Sequence, residues 1–357
     1  MLRIGLLTSG GDCQGLNAAM RGVAKALYEA FDEVEIHGIL DGYRGLIQDR
    51  IRLMKPEDFS GILTLGGTIL GTSRCPFKLM RVIGEDGVDK VEAMKNTIKK
   101  RKLDCLVILG GNGTHKTANL LRAEGVNVVT LPKTIDNDIW GTDMTFGFQS
   151  AVDIAANVID CIHTTATSHG RVFIVEVMGH KVGWLTLHAG IAAGADIVLL
   201  PEIPYDIEKV GSAIERRRKQ GKPFSILAVA EGALSKREAK MSKKELAAAR
   251  QKEGLPSIAY RLVQELEPYV GGESRVCVPG HFQRGGAPCA YDRMLATMLG
   301  AAAARLIREG KYGYMCAIVN NEIVPVPLEE VAGKLKKVPV DCPAVQMARE
   351  IGVSFGD

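Results

Sequence analysis

Short apolar runs alternate along the chain with stretches whose apolar positions recur at helical spacing. Leu2–Leu7 reads as a buried strand, Thr8–Asp12 as a glycine turn and Asn17–Phe31 as an amphipathic helix. The same unit recurs as a strand at Cys105–Leu109, a loop at Gly110–Thr114 and a helix at His115–Glu124. Asn127–Leu131, Arg171–Met178, Ile197–Leu200, Ser225–Ala230, Arg275–Val278 and Met315–Val319 read as further strands, and His180–Ala193 as a helix. Strands alternating with helices predict an α/β fold, its mostly parallel sheets flanked by helices. At 357 residues the chain exceeds one typical domain, so the pattern predicts two such sheets.

Leu234–Gly254 breaks the pattern with its Lys and Glu. Ser242-Lys243-Lys244-Glu245 has capping-box spacing, which predicts the start of a surface helix. Its lysines would attract an anion or simply form a solvated face.

Composition narrows the class without naming it. A net charge of +4 lacks the concentrated positive stripe of a nucleic-acid binder, and it suits an enzyme of multiply phosphorylated substrates. The eight cysteines show neither a CxxC pair nor zinc spacing, so reduced thiols in a cytoplasmic protein are expected. MLRIGLLTSGGD enters a strand and a glycine turn at once, without the regions of a signal peptide. No apolar run is long enough to span a bilayer, and no membrane partner is expected.

Three motifs carry chemistry. Thr8-Ser9-Gly10-Gly11-Asp12 and Gly110-Gly111-Asn112-Gly113-Thr114 each lie between a strand and a helix. Glycines there let a backbone approach a phosphate, and a helix N-terminus supplies N–H donors. The first loop alone would also serve as a plain tight turn, whereas the second on its own reads as a loop of a phosphate-handling enzyme. The third motif is Leu131-Pro132-Lys133-Thr134-Ile135-Asp136-Asn137-Asp138. In extended geometry Asp136 and Asp138 would share a face, one taking a hydroxyl proton and the other helping to hold magnesium. Its bland alternative is an Asx-rich turn with solvated charges.

The segments TSGGD, GGTILGTSR, GGNGT, PKTIDND, SHGR, VEVMG and GHFQRGG run in this order from residue 8 to residue 286. In this the chain resembles the 6-phosphofructokinases. The resemblance implies two Rossmann-like lobes with the active site in the cleft, and phosphoryl transfer from ATP to the C1 hydroxyl of fructose 6-phosphate with Mg2+. It implies a donor lobe of residues 1–147 plus about 283–333, a sugar-phosphate lobe of about 148–282 and a C-terminal extension of 334–357. Asp136 resembles the base, and Arg74, Thr134 and Asp138 its catalytic companions. Gly11, Arg74, Cys75, Gly111, Asn112, Gly113, Thr114 and Lys133 match the donor site. Thr134, Ile135, Asp136, Met178, Gly179, His180, Glu231, His281, Phe282, Gln283 and Arg284 match the sugar site, with His281 and Arg284 at the 6-phosphate. Arg171 and Arg275 resemble arginines that cross a subunit interface to that phosphate, so a dimer or tetramer is expected. Asn112, Asp136 and Asp138 match the metal positions.

Three departures bear on the chemistry. Asn112 stands where many members carry an aspartate, which keeps an oxygen and loses a charge. His180 replaces an arginine; it either does that job more weakly or is only a helix-start residue. Gly113 resembles ATP users by leaving room for a nucleotide, whereas Lys133 resembles pyrophosphate users. ATP is the expected donor, with pyrophosphate the alternative and a non-catalytic sugar-phosphate-binding subunit a second. Arg21 and Lys25, one turn apart, would form either an anion site or an exposed basic face. Other positions where an effector site needs cations are uncharged or His163, so ADP or phosphoenolpyruvate control is not expected.

Overall fold

The computed structural model describes residues 1–85 and 87–357. Its strands are β1 (Leu2–Ser9), β2 (Val34–Ile39), β3 (Ile51–Met54), β4 (Cys105–Gly110), β5 (Val128–Pro132), β6 (Val172–Val177), β7 (Ile197–Leu199), β8 (Ser225–Ala230), β9 (Ser274–Cys277), β10 (Tyr314–Val319) and β11 (Glu322–Pro327). The chain divides into two compact units: Met1–Ser150 with Arg284–Lys336, and Ala151–Gln283 with Lys337–Asp357.

The first unit is built on a sheet of order β11-β10-β5-β4-β1-β2-β3. Its inner pairings are parallel, and only the edges β3 and β11 run antiparallel. Both faces of a parallel sheet are covered, which is why β4 and β5 are buried along their whole length, β4 as an unbroken apolar run and β5 interrupted by the buried Thr130. The register pairs Ser9 with Gly110, so the carboxyl ends of β1 and β4 lie side by side. Strand order diverges there, with β2 on one side and β5 on the other, and such a switch point opens a crevice for ligands. Beneath it the helices Leu16–Ala30 and Ala290–Arg308 nearly touch. A Cβ on Gly22 would lie 2.7 Å from the Thr297 carbonyl oxygen, and one on Gly300 2.5 Å from that of Ala19. Only glycine fits at either position.

The second unit has an all-parallel sheet of order β7-β8-β6-β9. Its switch point falls between β6 and β9. Ile174, Leu199, Leu227 and Val229 from the sheet pack with Leu262 and Leu266 of the helix Ile258–Val270. Residues 334–357, expected as an extension, divide between the units. Ser354 bridges to Ile197, and Phe355 is buried in the second unit.

Three local expectations change. The loop Gly110–Thr114 is shorter, because the helix Asn112–Ala123 begins inside it after the N-cap Gly111. The helix expected from His180 starts at Trp184, behind a turn in which Gly179 and His180 have φ of 147° and 52°. His180 is therefore not a helix-start residue. The third change is at PKTIDND, where β5 ends at Pro132 and the chain bends. Asn137 is left-handed at φ 52°, and the Thr134 hydroxyl accepts the Asp136 N–H at 3.0 Å. An extended strand that puts both aspartates on one face is replaced by a turn, for which Thr and Asn have the right side chains. The predicted capping box holds: Ser242 and Glu245 close it at the start of Lys243–Glu253. The Lys/Glu-rich stretch also contains Glu238, buried against Arg261 at 2.6 Å.

Candidate active site

In the first unit, the two glycine loops and the acid loop meet at the carboxyl ends of β1, β4 and β5. Gly10 is left-handed at φ 87°, and a Cβ there would lie 3.6 Å from Lys133 Nζ and 3.7 Å from Thr114 Oγ1. The Lys133 ammonium is buried and donates to the Gly11 carbonyl. The sequence expects Arg284 on the sugar side; the structure places it over Gly11, its Nη1 donating to the Asp12 carbonyl at 3.1 Å. Its Nε is buried and has no hydrogen-bond partner among the described residues. Burial lowers the Lys133 pKa and the Arg284 charge adds to this, while Asp136 and Asp12 oppose it. Two cations held around a glycine turn form a cradle that an anion would relax.

The second glycine loop supplies the open end of this cradle. The helix Asn112–Ala123 has no side-chain cap, so its first N–H groups are left for a ligand. A Cβ on Gly113 would meet nothing within 4 Å, whereas one on Gly111 would lie 3.5 Å from the Lys133 carbonyl. Thr114 is buried, its carbonyl taking the Tyr43 hydroxyl at 2.9 Å. Asn112 Nδ2 donates to the Lys334 carbonyl at 2.7 Å, which leaves Oδ1 as its acceptor. His115, behind the loop, is held near pKa 4 by burial and is neutral. Arg74 is exposed, and Cys75 beside it is half-buried with its thiol 3.7 Å from Ser73 Oγ.

The acid loop is held from several sides. Thr134 and Ile135 are buried, and the Thr134 carbonyl accepts the Thr145 hydroxyl at 2.8 Å. Asn137 Oδ1 accepts the Thr145 N–H at 3.1 Å and the Lys336 ammonium at 2.9 Å. Asp138 is pushed up to about 6, first by burial and then by the charge of Asp136. Among the described residues no group of three or more His, Cys, Asp or Glu side chains could hold a metal ion.

In the second unit the candidate residues lie at the ends of β6 and β8 and after β9. Glu231 Oε1 accepts the N–H groups of Gly179 at 3.3 Å and His180 at 2.7 Å. That draws the turn Met178-Gly179-His180 onto the end of β8. Gly232 must be glycine, since a Cβ there would lie 2.2 Å from the His180 carbonyl oxygen. Gln283 is buried and accepts the Met178 N–H at 3.3 Å. His180 and His281 are exposed, and Phe282 is 74% exposed. Arg171 and Arg275 converge on Glu273, at 2.9 and 2.6 Å, along the open edge of the sheet.

Residues 3–307 match the family described as Phosphofructokinase. The chain belongs to this family. It is 56% identical over 356 residues to a protein of Spirochaeta thermophila named ATP-dependent 6-phosphofructokinase, covering 99% of this chain and 97% of that one. A protein of the same name from Propionibacterium freudenreichii is 48% identical, with all of both chains covered. Among solved structures, phosphofructokinase of Pichia pastoris in the T-state superposes with a TM-score of 0.78 at 34% identity. That match covers 92% of this chain, and this chain spans 35% of the Pichia one.

Two residues of this phosphofructokinase chain escape a motif-based reading. Lys336 comes from a tail without a motif, where it stands between Lys334 and Lys337 with nothing in the sequence to single it out. Glu273 precedes the expected Ser-Arg, and its place between two arginines follows only from the pairing of Val172 with Ser274.

Proposed function

We propose that the chain is an ATP-dependent 6-phosphofructokinase of the cytoplasm, transferring the γ-phosphoryl group to the C1 hydroxyl of fructose 6-phosphate in glycolysis. The observation that carries the phosphoryl-transfer chemistry, whichever the donor, is Lys133. Its ammonium binds the first glycine loop, while its backbone opens the acid loop, so phosphate cradle and base belong to one framework.

Asp136 takes the hydroxyl proton as the C1 oxygen bonds to phosphorus and the bond to the ADP oxygen breaks. Lys133, Arg74 and Arg284 face charge on the phosphoryl oxygens, where fixed cations favour the transition state. The open space at Gly113 leaves room for the rest of a nucleotide. Thr134 and Ile135 fix the loop that carries the base. Magnesium usually takes one or two carboxylates plus substrate phosphates and water. The carboxylates fit it, since Asp138 is raised partly by its neighbour's charge and a cation would relieve both. Asp136, Asp138 and the Asn112 oxygen would hold Mg2+, which would neutralise charge on the donor phosphates.

On the sugar side, Glu231 accepts sugar hydroxyls with the oxygen not engaged by the turn, beside Met178, Gly179 and His180. Gln283 accepts the Met178 N–H of the same turn, and His281 and Phe282 precede it in the chain, with His281 meeting the 6-phosphate. Arg171 and Arg275 reach the 6-phosphate bound by a partner subunit in a dimer or tetramer. A second reading, pyrophosphate as donor, draws on Lys133 as an extra cation. Purified protein incubated with fructose 6-phosphate, Mg2+ and either donor separates them. Fructose 1,6-bisphosphate formed with ATP is expected; formation only with pyrophosphate would overturn the donor, and none with either would overturn the activity.

A further inference from the structure

The segment Lys334–Lys336 touches both the donor helix and the acid loop. The Lys334 carbonyl accepts the Asn112 amide at 2.7 Å. Leu335 forms an antiparallel bridge with Ile139, and the Lys336 N–H donates to the Asp138 carbonyl at 2.9 Å. The Lys336 ammonium then donates to Asn137 Oδ1 at 2.9 Å and to the carbonyls of Thr142 and Asp143, both at 2.8 Å. Three oxygens match the three N–H donors of a lysine. They come from both ends of the turn that follows Asp136, including the left-handed Asn137.

We infer that Lys334–Lys336 is a clamp joining the donor helix to the acid loop, with Lys336 the positioning residue for Asp136 and Asp138. The same clamp explains the departure at Asn112. A carboxylate there could not donate to the Lys334 carbonyl and would set negative charge against it. The amide gives up one charge near the metal positions and gains a tie to the acid loop through three residues of backbone. The inference rests on the proposed activity for its catalytic meaning, but the clamp itself is a matter of geometry.

The test uses the full-length protein and the variants Lys336→Met and Asn112→Asp, assayed with ATP, Mg2+ and fructose 6-phosphate. Lys336→Met is expected to lower kcat roughly 10–100-fold, since a small misplacement of a reacting group costs that much. KM for fructose 6-phosphate should stay within about twofold, because the sugar-site residues of the second unit are untouched. Lys336→Arg should recover part of the loss. Asn112→Asp should lower kcat although it adds a potential metal ligand; a rise in kcat or an unchanged value would overturn the clamp even if Lys336→Met fails to fold. Hydrogen–deuterium exchange of residues 134–145, without substrates, gives a readout independent of turnover. Faster exchange in either variant is expected, and wild-type protection in both would overturn the inference. A wild-type protein inactive with both donors would instead overturn the proposed activity and leave the exchange result to judge the clamp.

Discussion

The loops of the first unit and those of the second are built to different standards of order. Around Lys133 and Asp136 the backbone and several side chains are tied together within the unit, and two charges are held against the penalty of burial. Around Met178 and Arg275 the turn is fixed, but the side chains that would meet a ligand are exposed or lean on one another. Phosphoryl transfer gains from charges fixed before the reaction, since they need not reorganise during it. Capture of a sugar phosphate tolerates looser groups that settle on binding. On the proposed function, the difference assigns the rate to the first unit and the affinity for the acceptor to the second.

Substitutions can break that division. The largest effect is expected for Asp136→Ala, a loss of about 10²–10⁴ in kcat with sugar binding retained, read by steady-state kinetics and by titration with fructose 6-phosphate. Near-normal turnover would remove Asp136 from its role. Gly113→Asp comes next, because it places a carboxylate in the open space where a nucleotide would lie. Like charges brought together cost several kcal/mol, so kcat/KM for ATP should fall roughly 10²-fold. Undiminished use of ATP would mean that the nucleotide lies elsewhere.

On the other side, Arg275→Ala should raise KM for fructose 6-phosphate roughly tenfold, the weight of a hydrogen bond to a charged group, and change kcat little. A fall in kcat at constant KM would blur the two roles. The smallest effect concerns stability without metal. Asp138 titrates near 6 in the folded chain against 3.8 for a free side chain. Between these values the unfolded chain has lost the proton that the folded chain keeps, so stability falls as pH rises from about 4 to 6 and then levels. Asp138→Asn should remove that slope and gain about 1–3 kcal/mol at pH 7 in chelator, measured by denaturant melts. A variant with the wild-type slope would place the buried charge on another group.

The two sheets were legible because parallel strands covered on both faces must be largely apolar, as β4, β5 and β8 are. Local geometry was less so. The bend at PKTIDND depends on a left-handed Asn137, and an Asx-rich stretch permits both turn and strand. The position of Arg284 over Gly11 brings together residues from opposite ends of the chain, which no local pattern encodes. Lys336 resembles every other surface lysine until its three acceptors are seen. The glycine loops were readable as tight strand-to-helix turns because the residue type itself, the lack of a side chain, is what permits the close approach at Gly10 and Gly111.

The near contact of Gly22 with Thr297, and of Gly300 with Ala19, also bears on the order in which the chain is finished. A ribosome releases the helix Leu16–Ala30 long before Ala290–Arg308, the element against which its glycine packs. Most of the second unit emerges in between as one continuous stretch, Ala151–Gln283. Contacts so distant in sequence are slow to form, so the unit begun first is completed late. Stalled chains ending near residue 289 should accordingly be cut by protease within residues 16–30, and protection there would show that the early helix finds cover without its later partner.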